Sequence, residues 1–155
     1  MAQATTKDWL DGIQKGLLQQ LTDNKGALPK GFNQDRFILN SITVIRDMLR
    51  DSKKKKQLQE IDYTSIPICL AKGAFLGLDF FNGECYAIPY GGEMKFQTDY
   101  KGEIKLCKRY SKNEIKDIFA KVVREGDFFE ESVDSGVQNV VYKPLPFSNK
   151  PMVGA

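Results

Sequence analysis

Apolar positions recur at helical spacing through the first half of the chain and change to alternation near residue 84. Trp9, Ile13, Leu17 and Leu21 stand four apart, which predicts an amphipathic helix over 5–22. Thr5 with Asp8 three residues on suits a capping box, and Lys25-Gly26 closes the helix before a loop at Leu28-Pro29-Lys30-Gly31. A second helix is predicted over 34–51. Asn33 is its N-cap, Ile38, Ile42, Ile45 and Leu49 form its stripe, and Phe37, Val44 and Met48 widen the apolar face. A third, over 63–77, buries Ile66, Cys69, Leu70, Ala74 and Leu76. Asp62 is its expected N-cap, Pro67 is tolerated near its start, and Gly73 and Gly77 stand where a close helix contact or a C-cap is wanted.

Cys85-Tyr86-Ala87-Ile88-Pro89-Tyr90, Gly91-Gly92 and Glu93-Met94-Lys95-Phe96-Gln97 together read as a β-hairpin with a two-residue turn, Pro89 arguing for an edge position. Helix returns over 99–110. Strands are predicted over 115–125, 127–132 and 137–143, turned at Glu125-Gly126-Asp127 and Asp134-Ser135-Gly136. The class is α+β: N-terminal helices, a β-hairpin, a basic helix and an antiparallel meander. Residues 1–32 read as an N-terminal helix and linker, and residues 33–155 as the core. The closing residues, Asn149 to Ala155, read like the start of a strand, so the chain is expected to be truncated there or to be part of a split domain.

Composition narrows the chemistry. The chain has no histidine and three cysteines, Cys69, Cys85 and Cys107, without metal-ligand spacing, so a zinc site lacks ligands and the cysteines read as reduced, mostly buried thiols. Nucleophile systems built on histidine are excluded, and no phosphate-cradling Gly-x-x-x-x-Gly-Lys-(Ser/Thr) loop is present. No catalytic residue, cofactor or metal is expected. No secretory signal or membrane-length apolar run is visible, which predicts a cytoplasmic protein. The run Lys53-Lys54-Lys55-Lys56 reads as a solvated loop, with a phosphate contact as the functional alternative.

A net charge of +3 says little, but its distribution says more. Between Lys95 and Arg124 stand nine Lys/Arg against four Asp/Glu, leaving +5 in that span, and Glu125 to Asp134 carries five acids and no base. On the 99–110 helix, Tyr100, Ile104 and Cys107 form the expected core stripe. Lys101, Lys105, Lys108 and Lys112 form a basic stripe, with Arg109 beside it. Tyr86, Tyr90, Phe96, Tyr100 and Tyr110 are interleaved with these cations, a combination that suits single strands, where bases stack on aromatic rings. Tyr86 and Phe96 also have a plain reading as hairpin core.

The stretch from Cys85 to Gly102 resembles the signature of the RecT family: a Tyr-Ala-x-x-Pro-Tyr hairpin at Tyr86–Tyr90, a return strand at Phe96-Gln97 and a Tyr-Lys-Gly helix start at Tyr100–Gly102. Val123-Arg124-Glu125-Gly126-Asp127 is similar to the family's Val-x-x-Gly-(Asp/Glu) turn, and Leu76-Gly77-Leu78-Asp79 to the segment before its hairpin. The resemblance implies ATP-independent annealing of single-stranded DNA in phage or prophage recombination. It also implies rings or helical filaments of the chain on single-stranded DNA and annealed duplex, and a partner exonuclease. It departs at the hairpin turn, where family members often carry a cation and this chain has Gly91, Gly92 and Glu93. Lys101, Lys105, Lys108 and Arg109 are the first candidates for phosphate contacts, followed by Lys95, Lys121 and Arg124, with Tyr100 as a stacking or groove-wall residue. The alternatives are a protein-interaction module using Phe80-Phe81 or the acidic 125–134 hairpin, and a metal nuclease built on Glu84, Glu93, Asp99 and Glu103.

Overall fold

The computed structural model describes residues 6–118, 120–145 and the backbone of 152–154. Thr5 of the expected capping box lies outside the described residues. The chain divides into two compact units, residues 1–115 and 116–155.

The first unit opens with α1 (Thr6–Asp23) and a 3-10 turn at Lys25–Ala27, followed by α2 (Gln34–Arg50), α3 (Ser52–Gln59) and α4 (Ser65–Leu76). Ile13, Leu17, Leu21, Ile45, Ile66 and Leu70 are fully buried where α1, α2 and α4 meet, each worth about 1.5–3 kcal/mol of burial. The Asn33 side chain accepts from the Arg36 N–H at 2.9 Å and caps α2, as the sequence predicts.

The lysine run is helical, not a loop. Asp51 Oδ1 accepts the N–H groups of Lys53 and Lys54 at 2.9 and 3.1 Å, and these bonds hold its carboxyl below the usual range. Leu58 pins the other end of α3 in the core. Cap and anchor together outweigh the mutual repulsion of the lysines, whose side chains remain exposed. At α4 the N-cap is Thr64 rather than Asp62. Asp62 sits two residues earlier and accepts both the Thr64 N–H and hydroxyl, at 2.9 and 2.7 Å. Gly77 ends α4 in the left-handed conformation.

Strands β1 (Cys85–Tyr90) and β2 (Glu93–Thr98) pair antiparallel with Ala87 opposite Phe96 and Tyr90 opposite Glu93. Gly91 and Gly92 both take positive φ, 61° and 78°, the geometry that makes a two-residue turn follow the twist of the strands. Cys85, Ala87 and Met94 face the helices and are buried. Phe96 packs edge-on against Phe80, ring centroids 6.1 Å apart. The hairpin tip is tied down by Asp62 N–H to Gly92 O at 2.8 Å and Met94 N–H to Ser65 Oγ at 2.8 Å. Its root is held by Asp99 N–H to Glu84 O at 3.0 Å.

Helix α5 (Tyr100–Tyr110) is capped by Asp99, which accepts the Lys101 N–H at 3.1 Å. Its expected core stripe is not its core. Tyr100 is 65% exposed, Cys107 is exposed and Ile104 is only half-buried. The buried residue is Gly102, where an added Cβ would stand 2.1 Å from the backbone oxygen of Glu84. The helix approaches the hairpin root backbone through a glycine, and Leu106 packs partly against the core one turn later. The contact face is therefore rotated away from the larger apolar side chains.

Among the described residues of the predicted 115–125 strand, only Val123–Arg124 form a strand. This is β3, which pairs with β6 (Met152–Gly154). The Ile118 N–H donates to the Asp117 carboxylate at 2.9 Å. Strands β4 (Phe128–Asp134) and β5 (Val137–Lys143) form a second hairpin. Asp127 braces the unit by accepting the N–H groups of Leu145 and Arg124, both at 2.9 Å, which hold its carboxyl below the ordinary range. The architecture is α+β.

Candidate nucleic-acid interface

In the first unit, the loop before α2, the first turn of α2, the end of α4 and the second half of α5 enclose a cleft of about 310 Å³. Its cations are Lys30, Arg36, Lys105 and Arg109, and the only opposing carboxylate among its lining residues is Asp79. The α2 N-terminus, at Asn33, opens on the same space and adds partial positive charge.

Two of the sequence candidates are fixed in this wall. Lys105 Nζ lies 2.7 Å from Glu84 Oε2, which also accepts the Asp79 N–H at 2.9 Å. Arg109 Nη1 donates to Leu76 O at 2.6 Å, satisfying a carbonyl at the end of α4. Both charges are held in place by the fold, which lowers the ordering cost of meeting an anion there.

The other candidates are placed differently. Lys101 and Lys108 are exposed on α5 and do not line the cleft, and the Lys101 ammonium lies 5.9 Å from the Tyr100 ring centroid. Lys95 is paired with Glu93 at 2.5 Å on the outer hairpin face. Lys112 follows the end of α5, and Lys121 and Arg124 belong to the second unit. The predicted basic stripe thus divides between a walled cleft and exposed positions on α5.

Tyr86, Ile88 and Tyr90 project from the outer face of β1. Tyr90 is 74% and Tyr86 45% exposed, so the core reading holds for Phe96 and fails for Tyr86. The Tyr86 hydroxyl donates to Asp99 at 3.2 Å, and that bond pushes its pKa up. The sequence reasoning missed Lys30 and Arg36. The signal was present, because a cation in the Pro29–Gly31 loop just before a capped helix N-terminus is a common anion-binding arrangement.

The carboxylates considered for a metal are each engaged elsewhere: Glu84 with Lys105, Glu93 with Lys95, Asp99 at the α5 cap and Glu103 with Thr98. Among the described residues no group of three ligand-type side chains could hold a metal ion. Phe80 is buried in the core while Phe81 is exposed.

Cys69 and Cys85 are buried, and burial pushes each thiol up to about 12, whereas Cys107 is exposed. A thiol with so high a pKa carries almost no thiolate at neutral pH. Brief treatment of the native chain with iodoacetamide should therefore alkylate Cys107 alone, and denaturation should release the other two. Intact-mass spectrometry reads the count, and rapid addition of two or three labels to the native protein would contradict this packing.

A preformed cationic cleft, exposed tyrosines and lysines, and a helix N-terminus aimed at the cleft are the features of a protein that handles single-stranded nucleic acid by its backbone and bases. The RecT family model matches residues 35–155, and the chain belongs to the RecT family of single-strand annealing recombination proteins. No match was found among curated proteins or among solved structures. Proteins of this family are annealing proteins of DNA recombination that bind single-stranded DNA. Among the described residues, no helix is long and apolar enough to cross a membrane.

Proposed function

We propose that this chain anneals complementary DNA strands without ATP, holding one strand by its phosphates and leaving its bases free to sample a second. The observation that carries the reading is the cleft, in which four cations from three parts of the chain meet Asp79 in the lining and Glu84 behind Lys105. Lys105 and Arg109 contact phosphate inside it together with Lys30 and Arg36. Lys101 and Lys108 extend the path along α5, and Lys95, Lys121 and Arg124 are secondary contacts. Tyr100 is a groove-wall or stacking residue. The core at 33–155 carries most of these groups, and the segment 1–32 contributes Lys30. Copies of the chain assemble as a ring or helical filament on the DNA, a partner exonuclease exposes the strands, and the setting is phage or prophage recombination in the cytoplasm.

Fluorescence annealing tests this directly. Two complementary labelled oligonucleotides are mixed with the chain without ATP or Mg²⁺ across a salt series, beside a Lys101→Glu/Lys108→Glu variant. Lys105→Glu is the poorer choice, because it would set a second carboxylate against Glu84 and disturb the fold. The expected result is accelerated pairing that the variant loses, with binding that falls by a slope of about 0.7 in log K per phosphate neutralised. Salt-insensitive pairing, or no strand binding at low salt, would overturn the reading and favour a protein-interaction module.

A further inference from the structure

A second aromatic site lies at the other end of α2. Trp9, Leu49, Lys55, Leu58, Ile61 and Tyr63 line a pocket of about 410 Å³, within the range of small-ligand sites. Trp9 is half-buried and Tyr63 is exposed, so the pocket offers ring surface next to a lysine. It is distinct from the cleft. Arg36 lines one and Leu49 the other, thirteen residues apart on the same helix, about 20 Å along its axis.

Lys53 to Lys56 stand exposed on α3, and Lys55 among them lines this pocket. Lys53 and Lys54 occupy the first turn of α3, where the helix dipole favours acids, and that turn contains none. Among the described residues, no carboxylate lies within ion-pair distance of any of the four ammonium groups. Four neighbouring cations on one short helix repel one another, and only Leu58 of that helix is buried. The Asp51 cap offsets part of the charge at the start of the helix, and Lys55 and Lys56 stand exposed beyond it, where a polyanion would gain from them.

We infer that the lysine helix and the Trp9–Tyr63 pocket form a second single-stranded nucleic-acid site, taking phosphates on Lys53–Lys56 and a base between the rings. The inference rests on the annealing reading and adds to it: a protein that brings two strands together has a separate strand contact at each end of α2. Charge complementarity selects the occupant, since an apolar peptide would use the rings and leave the lysines uncompensated.

Trp9 is the chain's single tryptophan, so its emission reports on this pocket alone. The full chain is titrated with an oligothymidine carrying a dye, and dye anisotropy and Trp9 emission are followed together. The expected result is saturable, salt-sensitive quenching of Trp9 that survives in Lys101→Glu/Lys108→Glu. Tyr63→Ala should weaken the affinity read at Trp9 by about tenfold, the size of one lost base–aromatic stack. Changing Lys53, Lys54, Lys55 and Lys56 to Gln should lower the salt slope at Trp9 by about 0.7 for each lysine that touches phosphate. Should the lysine variant fail to fold, as judged by circular dichroism, Tyr63→Ala decides, because its side chain is exposed. Anisotropy showing a bound oligonucleotide while Trp9 emission stays unchanged would overturn this site and leave the annealing reading intact. No anisotropy change at low salt would overturn both. A Trp9 response to an acidic peptide that exceeds the response to DNA would make the pocket a protein contact and overturn the inference.

Discussion

Gly102→Ala will lower the stability of this chain by about 3 kcal/mol, the upper end for forcing a methyl into a packed site. The added carbon would stand 2.1 Å from the Glu84 backbone oxygen. That oxygen is not a flexible side-chain end. It accepts the Asp99 N–H at the hairpin root, and the carboxylate of the same residue holds Lys105. Relief therefore requires α5 to lift away, weakening the root bond and displacing one wall of the cleft. In thermal melts followed by circular dichroism the midpoint should fall by about 10 °C. Gly12→Ala is the control, since nothing lies within 4 Å of the added carbon and α1 gains helix propensity there. Equal melting of the Gly102→Ala and parent chains would mean that α5 does not pack through its glycine.

Lys30→Glu/Arg36→Glu is expected to leave the melt nearly unchanged and to weaken single-strand binding by about a hundredfold at low salt. Both side chains are exposed, so the fold loses little. Each removes a charge-assisted contact worth about 1.5 kcal/mol, and two such contacts make about two decades in affinity. Anisotropy with a labelled oligonucleotide checks the result. Binding that survives this pair of changes but is lost in Lys101→Glu/Lys108→Glu would move the strand from the cleft to the exposed side of α5.

The parts of the fold set by local periodicity could be read in advance. The stripes of α1 and α2, the Asn33 cap, the left-handed Gly77 and the Gly91-Gly92 turn follow from spacing and glycine conformation, and the structure bears them out. Three features depend on contacts distant in sequence and could not. Helix α3 forms because Asp51 caps it and Leu58 finds the core, neither of which a charge count reveals. The orientation of α5 is set by how closely Gly102 meets Glu84, so a stripe of larger apolar residues pointed to the wrong face. The cleft joins Lys30 and Arg36 to Lys105 and Arg109 across about seventy positions of sequence, and only the packing of α2 near the end of α4 brings them together. Of the α5 cations picked out from the sequence, Lys105 and Arg109 line the cleft, and Lys101 and Lys108 do not.

An isolated two-stranded ribbon is marginal in water. The first hairpin here is stitched to the helical body at its tip, through Asp62 and Ser65, and at its root, through Glu84 and Asp79 after α4. Its outer row of Tyr86, Ile88 and Tyr90 is therefore stiff before anything touches it. A stiff surface gives up little freedom on contact, so whatever rests on it can also leave without the hairpin first having to melt. Such a surface would serve as a workbench more than a clamp, its shape retained whether or not anything rests on it.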